Sequence, residues 1–226
     1  ALGTGPIGVR DVMGTLLIPL AGPLQSWSVD ARFGERLTAQ EPSKSGVLGL
    51  ICAALGRDRA EPIGDLAALR FGVRVDRPGV LLRDYHTALD VASAGTRAVD
   101  TVLSNRWYLA DAAFLAGFEG DAALLARIHA SLSDPVWPVF LGRKACLPAM
   151  PLAKPDGFVE APLERALAAA EPLPGTDVTV PVRLVIEDPA GPQTRPDQPV
   201  GSFAERRFAS RRVRTEVIEW NLHASS

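Results

Sequence analysis

The sequence predicts an α+β fold: a ferredoxin-like (RRM-like) βαββαβ domain with a protruding β-hairpin, followed by a small, mostly β unit. Three observations carry that prediction. A short apolar run, "TLLIPLAG" (15–22), precedes an apolar helix over about 45–55 and a strand over 70–76. Two extended arms, "LLRDYHT" and "VLSNRWYLADAAFLAG", flank a polar tip, "ALDVASAGTRAVD". A second helix, "DAALLARIHASL" (121–132), carries leucines at helical spacing behind an Asp121 cap, and "PVWPVFLG" (135–142) supplies a fourth strand. Strand, helix, strand, strand, helix, strand is the βαββαβ order, which includes RNA-recognition folds.

Each element has a local reason. Residues 1–13 lack the charged-then-apolar plan of a signal peptide and read as a leader or cloning remnant, with Met13 a natural start. The first strand stops at Gly22-Pro23, and a polar loop leads to the helix, which ends at Leu55-Gly56. Pro78-Gly79 turns the chain after the 70–76 strand. A Pro-rich connection (148–174) contains a helix at "PLERALAAA". A strand-like "VTVPVRLVIED" (178–188), a loop "PAGPQTRPDQPVG" and a basic end, "SFAERRFASRRVRTEVIEW", follow. The expected division is 14–159 for the ferredoxin-like domain, with its hairpin at about 80–106, and 160–226 for the small β unit.

Composition narrows the function. The 226 residues are 47% hydrophobic, enough for a sizeable core. A formal net charge of -2 excludes a uniformly basic nucleic-acid binder, so any such site is a local patch. Of 24 basic residues, all but Lys44, Lys144 and Lys154 are arginines. Arginine's planar fork suits phosphates and base edges, although an arginine-rich chain equally reflects genome composition. Two cysteines, Cys52 and Cys146, form no disulfide framework, and three dispersed histidines show no metal spacing. No apolar run is long enough to span a bilayer, and a cytoplasmic protein is expected.

Several motifs compete with plainer readings. "PSKSG" places Lys44, Ser45 and Gly46 at a helix start, where free N–H groups hold either a capping side chain or an anion. It is not a GxxxxGK[ST] loop, so nucleotide hydrolysis has no support. "FLGRKACLP" sets Gly142, Arg143 and Lys144 after a strand end: a ligand-approaching loop or a solvated basic turn. "SNRWY" offers Arg106 on one strand face and Trp107 on the other, the first a ligand candidate and the second core. "DYHT" holds Tyr85 and His86, a base and acid for RNA cleavage or simply hydrogen-bonding residues. "RRFASRRVR" carries Arg206, Arg207, Arg211, Arg212 and Arg214 with no acid, either a phosphate track or a solvated strand.

Taken in order, "LLIPLAGPLQSWSVDARFGERLTAQEPSKSGVLGLICAALGRDR", "RDYHT", "RWYLADAAFLAG" and "VFLGRKACLPAMPL" resemble the CasD family of type I-E CRISPR Cascade subunits, a branch of the RAMP superfamily. The resemblance runs from about Leu16 to Arg214. It implies a ferredoxin-like domain with a β-hairpin thumb and a small C-terminal β portion. It implies a non-catalytic subunit, without cofactor or metal, that grips the 5′ handle of CRISPR RNA and caps a filament of backbone subunits. The other implied partners are the large PAM-recognising subunit and, through the complex, target DNA; a membrane is not among them. Gln25, Trp27 and Ser28 of the 21–45 loop would then join Lys44, Ser45, Gly46, Arg106, Gly142, Arg143 and Lys144 around the RNA. Tyr85, His86, Thr87 and Arg97 would belong to the thumb. Two other functions compete: a metal-independent endoribonuclease using Tyr85 and His86, and a domain that serves protein assembly alone.

Overall fold

The computed structural model describes residues 13–27, 31–32, 35–92 and 99–220. Residues 1–12, Ser28 and Arg97 lie outside them. β1 (Met13–Ala21), β2 (Leu24–Gln25), β3 (Ala31–Arg32) and β4 (Glu35–Arg36) precede α1 (Lys44–Leu55) and a single turn, α2 (Gly64–Ala67). β5 (Arg70–Arg77), β6 (Val80–Ala92), β7 (Val99–Ala110) and β8 (Ala113–Asp121) lead into α3 (Ala122–Ser133). β9 (Phe158–Val159), α4 (Leu163–Ala169), β10 (Val182–Glu187), β11 (Gln193–Val200) and β12 (Arg207–Ile218) complete the chain. No helix among the described residues is long and apolar enough to cross a membrane.

Seven strands form one sheet in the order β11-β12-β10-β5-β8-β1-β9, with antiparallel neighbours throughout. β1 is buried almost end to end because both its faces are covered. Leu16, Ile18 and Leu20 face the larger core with α1 and α3, while Leu17 meets Leu163 and Leu167 of α4 on the other side. A smaller sheet runs β2-β7-β4-β3, with β6 paired to β7 as the long hairpin. The expected second arm is therefore two strands. Asp111, with φ 55, breaks it between β7 and β8, and its N–H donates to Pro23 O.

Two expected elements differ. Residues 135–142 are not a strand. Pro135 and Pro138 have no N–H for a ladder, and the Val136 and Trp137 amides donate instead to Ala54 O and Ala53 O at the end of α1. The strand beside β1 is β9, only two residues long. The expected loop 189–201 contains β11, whose Pro196 and Pro199 fit because it is an edge strand with an irregularity between Arg195 and Gln198. The last three strands, read as a small unit of their own, extend the main sheet where β10 pairs β5.

α1 has matched ends. Ser43 Oγ accepts from Gly46 N, and Gly56 closes the helix at φ 70, with Arg57 N donating to Cys52 O. Both cysteines are buried and free. Burial pushes the Cys52 thiol up to about 11 and raises Cys146 as well, so both act as small core residues.

Candidate nucleic-acid interface

Two populations of basic residues contrast, while Arg127, Arg165 and Arg206 stand exposed elsewhere without a carboxylate partner among the described residues. The first is internal. Lys44 is 1% exposed, and its Nζ lies 3.0 Å from Glu187 Oε2. Its backbone N–H, at the open start of α1, donates to Asp197 Oδ2 at 2.8 Å. Arg211 grips the same carboxylate from its other side, Nε to Oδ1 at 2.6 Å and Nη2 to Oδ2 at 2.9 Å, and lies over the Phe71 ring. The anion that the "PSKSG" start calls for is thus supplied by the protein's own β11. Burial holds Lys44 below the usual lysine range, against the pull of Glu187.

This corrects several sequence expectations. Lys44 presents no charge to a ligand. Gly46 serves packing, since a Cβ there would lie 2.9 Å from Ser43 Oγ and 3.0 Å from the Trp27 ring. Gln25 and Trp27 form a buried knot: Gln25 Nε2 donates to Leu20 O and Ala112 O, while Trp27 Nε1 donates to Gln25 Oε1. Within the basic tract, Arg211 is buried, and Arg214 pairs with Glu164, Asp188 and Glu216. Arg212 donates to Gly191 O, and Arg207 pairs with Glu205. Arg207, Arg211 and Arg214 are thus paired with carboxylates within the fold, while Arg206 and Arg212 are exposed and have no carboxylate partner among the described residues.

The second population lies at the root of the hairpin. Parallel pairing of β4 with β7 sets Arg36 beside Arg106. Arg106 Nε donates only to Ser104 Oγ, and among the described residues neither guanidinium has a carboxylate partner. Like charges on neighbouring strands repel, and Asp84, level with Arg106 on β6, forms no ion pair with it, so an anion placed over the two guanidiniums relieves them. Arg143 anchors the same corner, with Nη1 donating to Trp107 O and Nη2 to Arg36 O, and its guanidinium 4.8 Å from the Tyr108 ring centroid. Lys144 follows it, exposed and without an ion pair among the described residues.

Gly142 takes φ 95, and a Cβ there would lie 1.8 Å from Ser26 O. Its close approach is to the protein's own backbone, a structural demand rather than a ligand's. Ser45, Gly46 and Gly142 also line a cleft of about 360 Å³ walled by Trp137, Phe140 and Phe203. The cleft meets the cationic corner at Gly142.

Alternation along β6 separates the proposed cleavage pair. Tyr85 is level with Asn105 and His86 with Ser104, so the two side chains leave opposite faces of the hairpin. Thr87 is exposed on the Tyr85 face. Among the described residues, no three His, Cys, Asp or Glu side chains cluster as metal ligands. Sequence reasoning missed Arg36 because its two-residue strand joins β7 only through a long-range pairing. It missed the wall residues Trp137 and Phe203 because Trp137 falls in the segment expected to be a strand, and only the tertiary fold brings the distant Phe203 to it.

Comparison with known proteins agrees with this arrangement of elements. A pattern described as "CRISPR-associated protein (Cas_Cas5)" matches residues 15–214. The chain is 32% identical over 176 residues to a protein of Escherichia coli (strain K12) named CRISPR system Cascade subunit CasD, covering 71% of this chain and 78% of that protein. A solved structure titled "Crystal structure of Cas protein" shares 48% identity, with a TM-score of 0.77 over 91% of this chain and 95% of the other. Another, titled "CRISPR RNA-guided surveillance complex", shares 34% identity, with a TM-score of 0.76 over 91% and 90%. With nearly the whole chain matched in sequence and in fold, the chain belongs to the CRISPR-associated Cas5 family and groups with its CasD members.

Proposed function

We propose that this chain is a non-catalytic, cytoplasmic RNA-binding subunit of a Cascade-type surveillance complex, holding the 5′ handle of CRISPR RNA at the root of its hairpin. In that complex it caps the backbone-subunit filament and contacts the large PAM-recognising subunit. One observation carries the RNA reading: Arg36, Arg106 and Lys144 are cations without carboxylate partners among the described residues, gathered where Arg143 fixes the corner. Phosphates satisfy such a corner, and the adjoining aromatic cleft suits an unstacked base. Sequence reading of a target is then left to base pairing, with the protein holding backbone and shape. The β9-β1-β8-β5 order, with α1 and α3 as the crossover helices, supports a ferredoxin-like assignment for this part of the fold.

The binding test is a salt titration of handle RNA affinity. Replacing Arg106 and Lys144 by alanine should weaken binding and lower the log–log salt slope by about 1.4, as expected for two lost contacts to single-stranded phosphates. An unchanged slope would remove the site. The non-catalytic reading is supported by Tyr85 and His86 lying on opposite faces of β6. Hairpin repeat RNA incubated with the purified protein in chelator should stay intact. Cleavage that disappears in His86→Ala would establish the enzyme instead.

A further inference from the structure

Among the described residues the main sheet ends at β11 and β9, and both ends are guarded. β11 carries two prolines and an irregular register, and β9 is two residues long. Short strands, prolines and bulges are the usual devices that stop an edge from recruiting another strand. β6 has none of these over most of its length. It runs for 13 residues, pairs with β7 alone, and makes no further backbone hydrogen bond among the described residues.

Over Val80–Ala88 the register with β7 is unbroken, and the stretch contains no proline, glycine or lysine. The irregularity comes only after Ala88, where Asp90 has φ 54. Alternate N–H and C=O groups along those nine residues therefore point away from β7, with nothing among the described residues to pair them. The side chains add a second signal. Val80, Leu81, Leu82, Tyr85 and Leu89 are 45–71% exposed, and Val102 and Leu103 are exposed across the hairpin on β7. Of the fifteen exposed large hydrophobic residues among those described, seven thus fall on one hairpin, which marks it as a contact surface rather than scattered surface residues.

We propose that the outer edge of β6, Val80–Ala88, is a strand-addition site that takes an extended, alternately apolar segment of a neighbouring protein subunit. A row of alternating backbone donors and acceptors is satisfied by another extended polypeptide, whose own groups repeat at the same spacing; an RNA sugar–phosphate chain, with acceptor phosphates and a single 2′-OH per nucleotide, does not reproduce that alternation. Apolar side chains on both faces then set the register of the added strand. This inference rests on the hairpin being a thumb that meets a partner subunit, and names how it does so.

Hydrogen exchange of the 80–88 amides tests it in three states: the isolated chain, the chain with guide RNA alone, and the complex co-expressed with its backbone subunits and guide RNA. Side-chain footprinting of Tyr85 is read alongside. The outward amides should exchange freely in the first two states and slow at least tenfold in the complex. Tyr85 protection with unchanged amide exchange would overturn strand addition while leaving the thumb reading in place. No protection of either kind would remove both. Slowing caused by RNA alone, or by raising the concentration of the isolated chain, would assign the edge to RNA or to a second copy and overturn the proposal. Leu81→Lys with Tyr85→Lys places charge on two exposed positions; it should leave the melting temperature unchanged and lower incorporation into the complex at least tenfold. Undiminished incorporation would count against the site.

Discussion

Gly142→Ala is expected to lower the unfolding midpoint by roughly 10 °C. The added methyl would meet Ser26 O at 1.8 Å, and φ 95 is strained for any residue with a Cβ. Neither side yields easily: Ser26 N donates to Leu141 O, and Leu141 N donates to Cys146 O, so the clash is between two tied backbones. Overpacking and backbone strain together cost about 3–5 kcal/mol, and each kcal/mol moves the midpoint by roughly 2–4 °C in a chain of this size. A thermal melt followed by circular dichroism reads the shift directly. A variant melting with the wild type would show that the 142–146 loop is free to move away from β2.

Lys44→Ala is expected to cost about 3 kcal/mol, because removing one member of a buried ion pair leaves its partner uncompensated. Glu187 would keep only the Phe71 N–H and a distant Arg211, whose Nη1 is 3.9 Å away. Asp197, held by the α1 N–H and by Arg211, would lose none of its direct partners. Lys144→Ala should change stability by less than about 0.5 kcal/mol, since an exposed side chain without a partner contributes little to folding. Chemical denaturation of the two variants separates the lysines: the first shifts the midpoint, while the second leaves it alone and weakens RNA binding. Equal midpoints would mean that the Lys44 pair does not hold α1 to the C-terminal strands.

The contrast between those lysines explains what could be read from the sequence. Both follow small or flexible residues at the junction of two elements, and nothing local separates a core cation from a surface one. What separates them is Glu187 and Asp197, more than 140 residues from Lys44, brought to it by β10 and β11. The same applies to the arginine tract at 206–214, whose partners come from loops and strands that a one-dimensional reading cannot align. Strongly patterned elements were legible: β1, α1, β5 and α3 follow from apolar runs, caps and turns. The 135–142 segment was misread because Val and Phe favour strands, while the prolines between them and the waiting carbonyls of α1 decide otherwise. β11 was hidden by its own prolines, which only an edge strand accommodates. The chemistry of "LQSW" is internal: the glutamine satisfies backbone carbonyls and the indole N–H.

The central claim is that the unpaired cations at the hairpin root, and not the paired arginines of the C-terminal strands, hold the RNA. Photo-crosslinking with thiouridine placed along the 5′ handle, in the complex assembled with backbone subunits and guide RNA, tests this most directly. Crosslinked peptides should contain Arg36, Arg106 or Lys144, and should be lost when Arg106 and Lys144 are replaced by alanine. Crosslinks confined to the peptides containing Arg206–Arg214, unaffected by that replacement, would contradict the account.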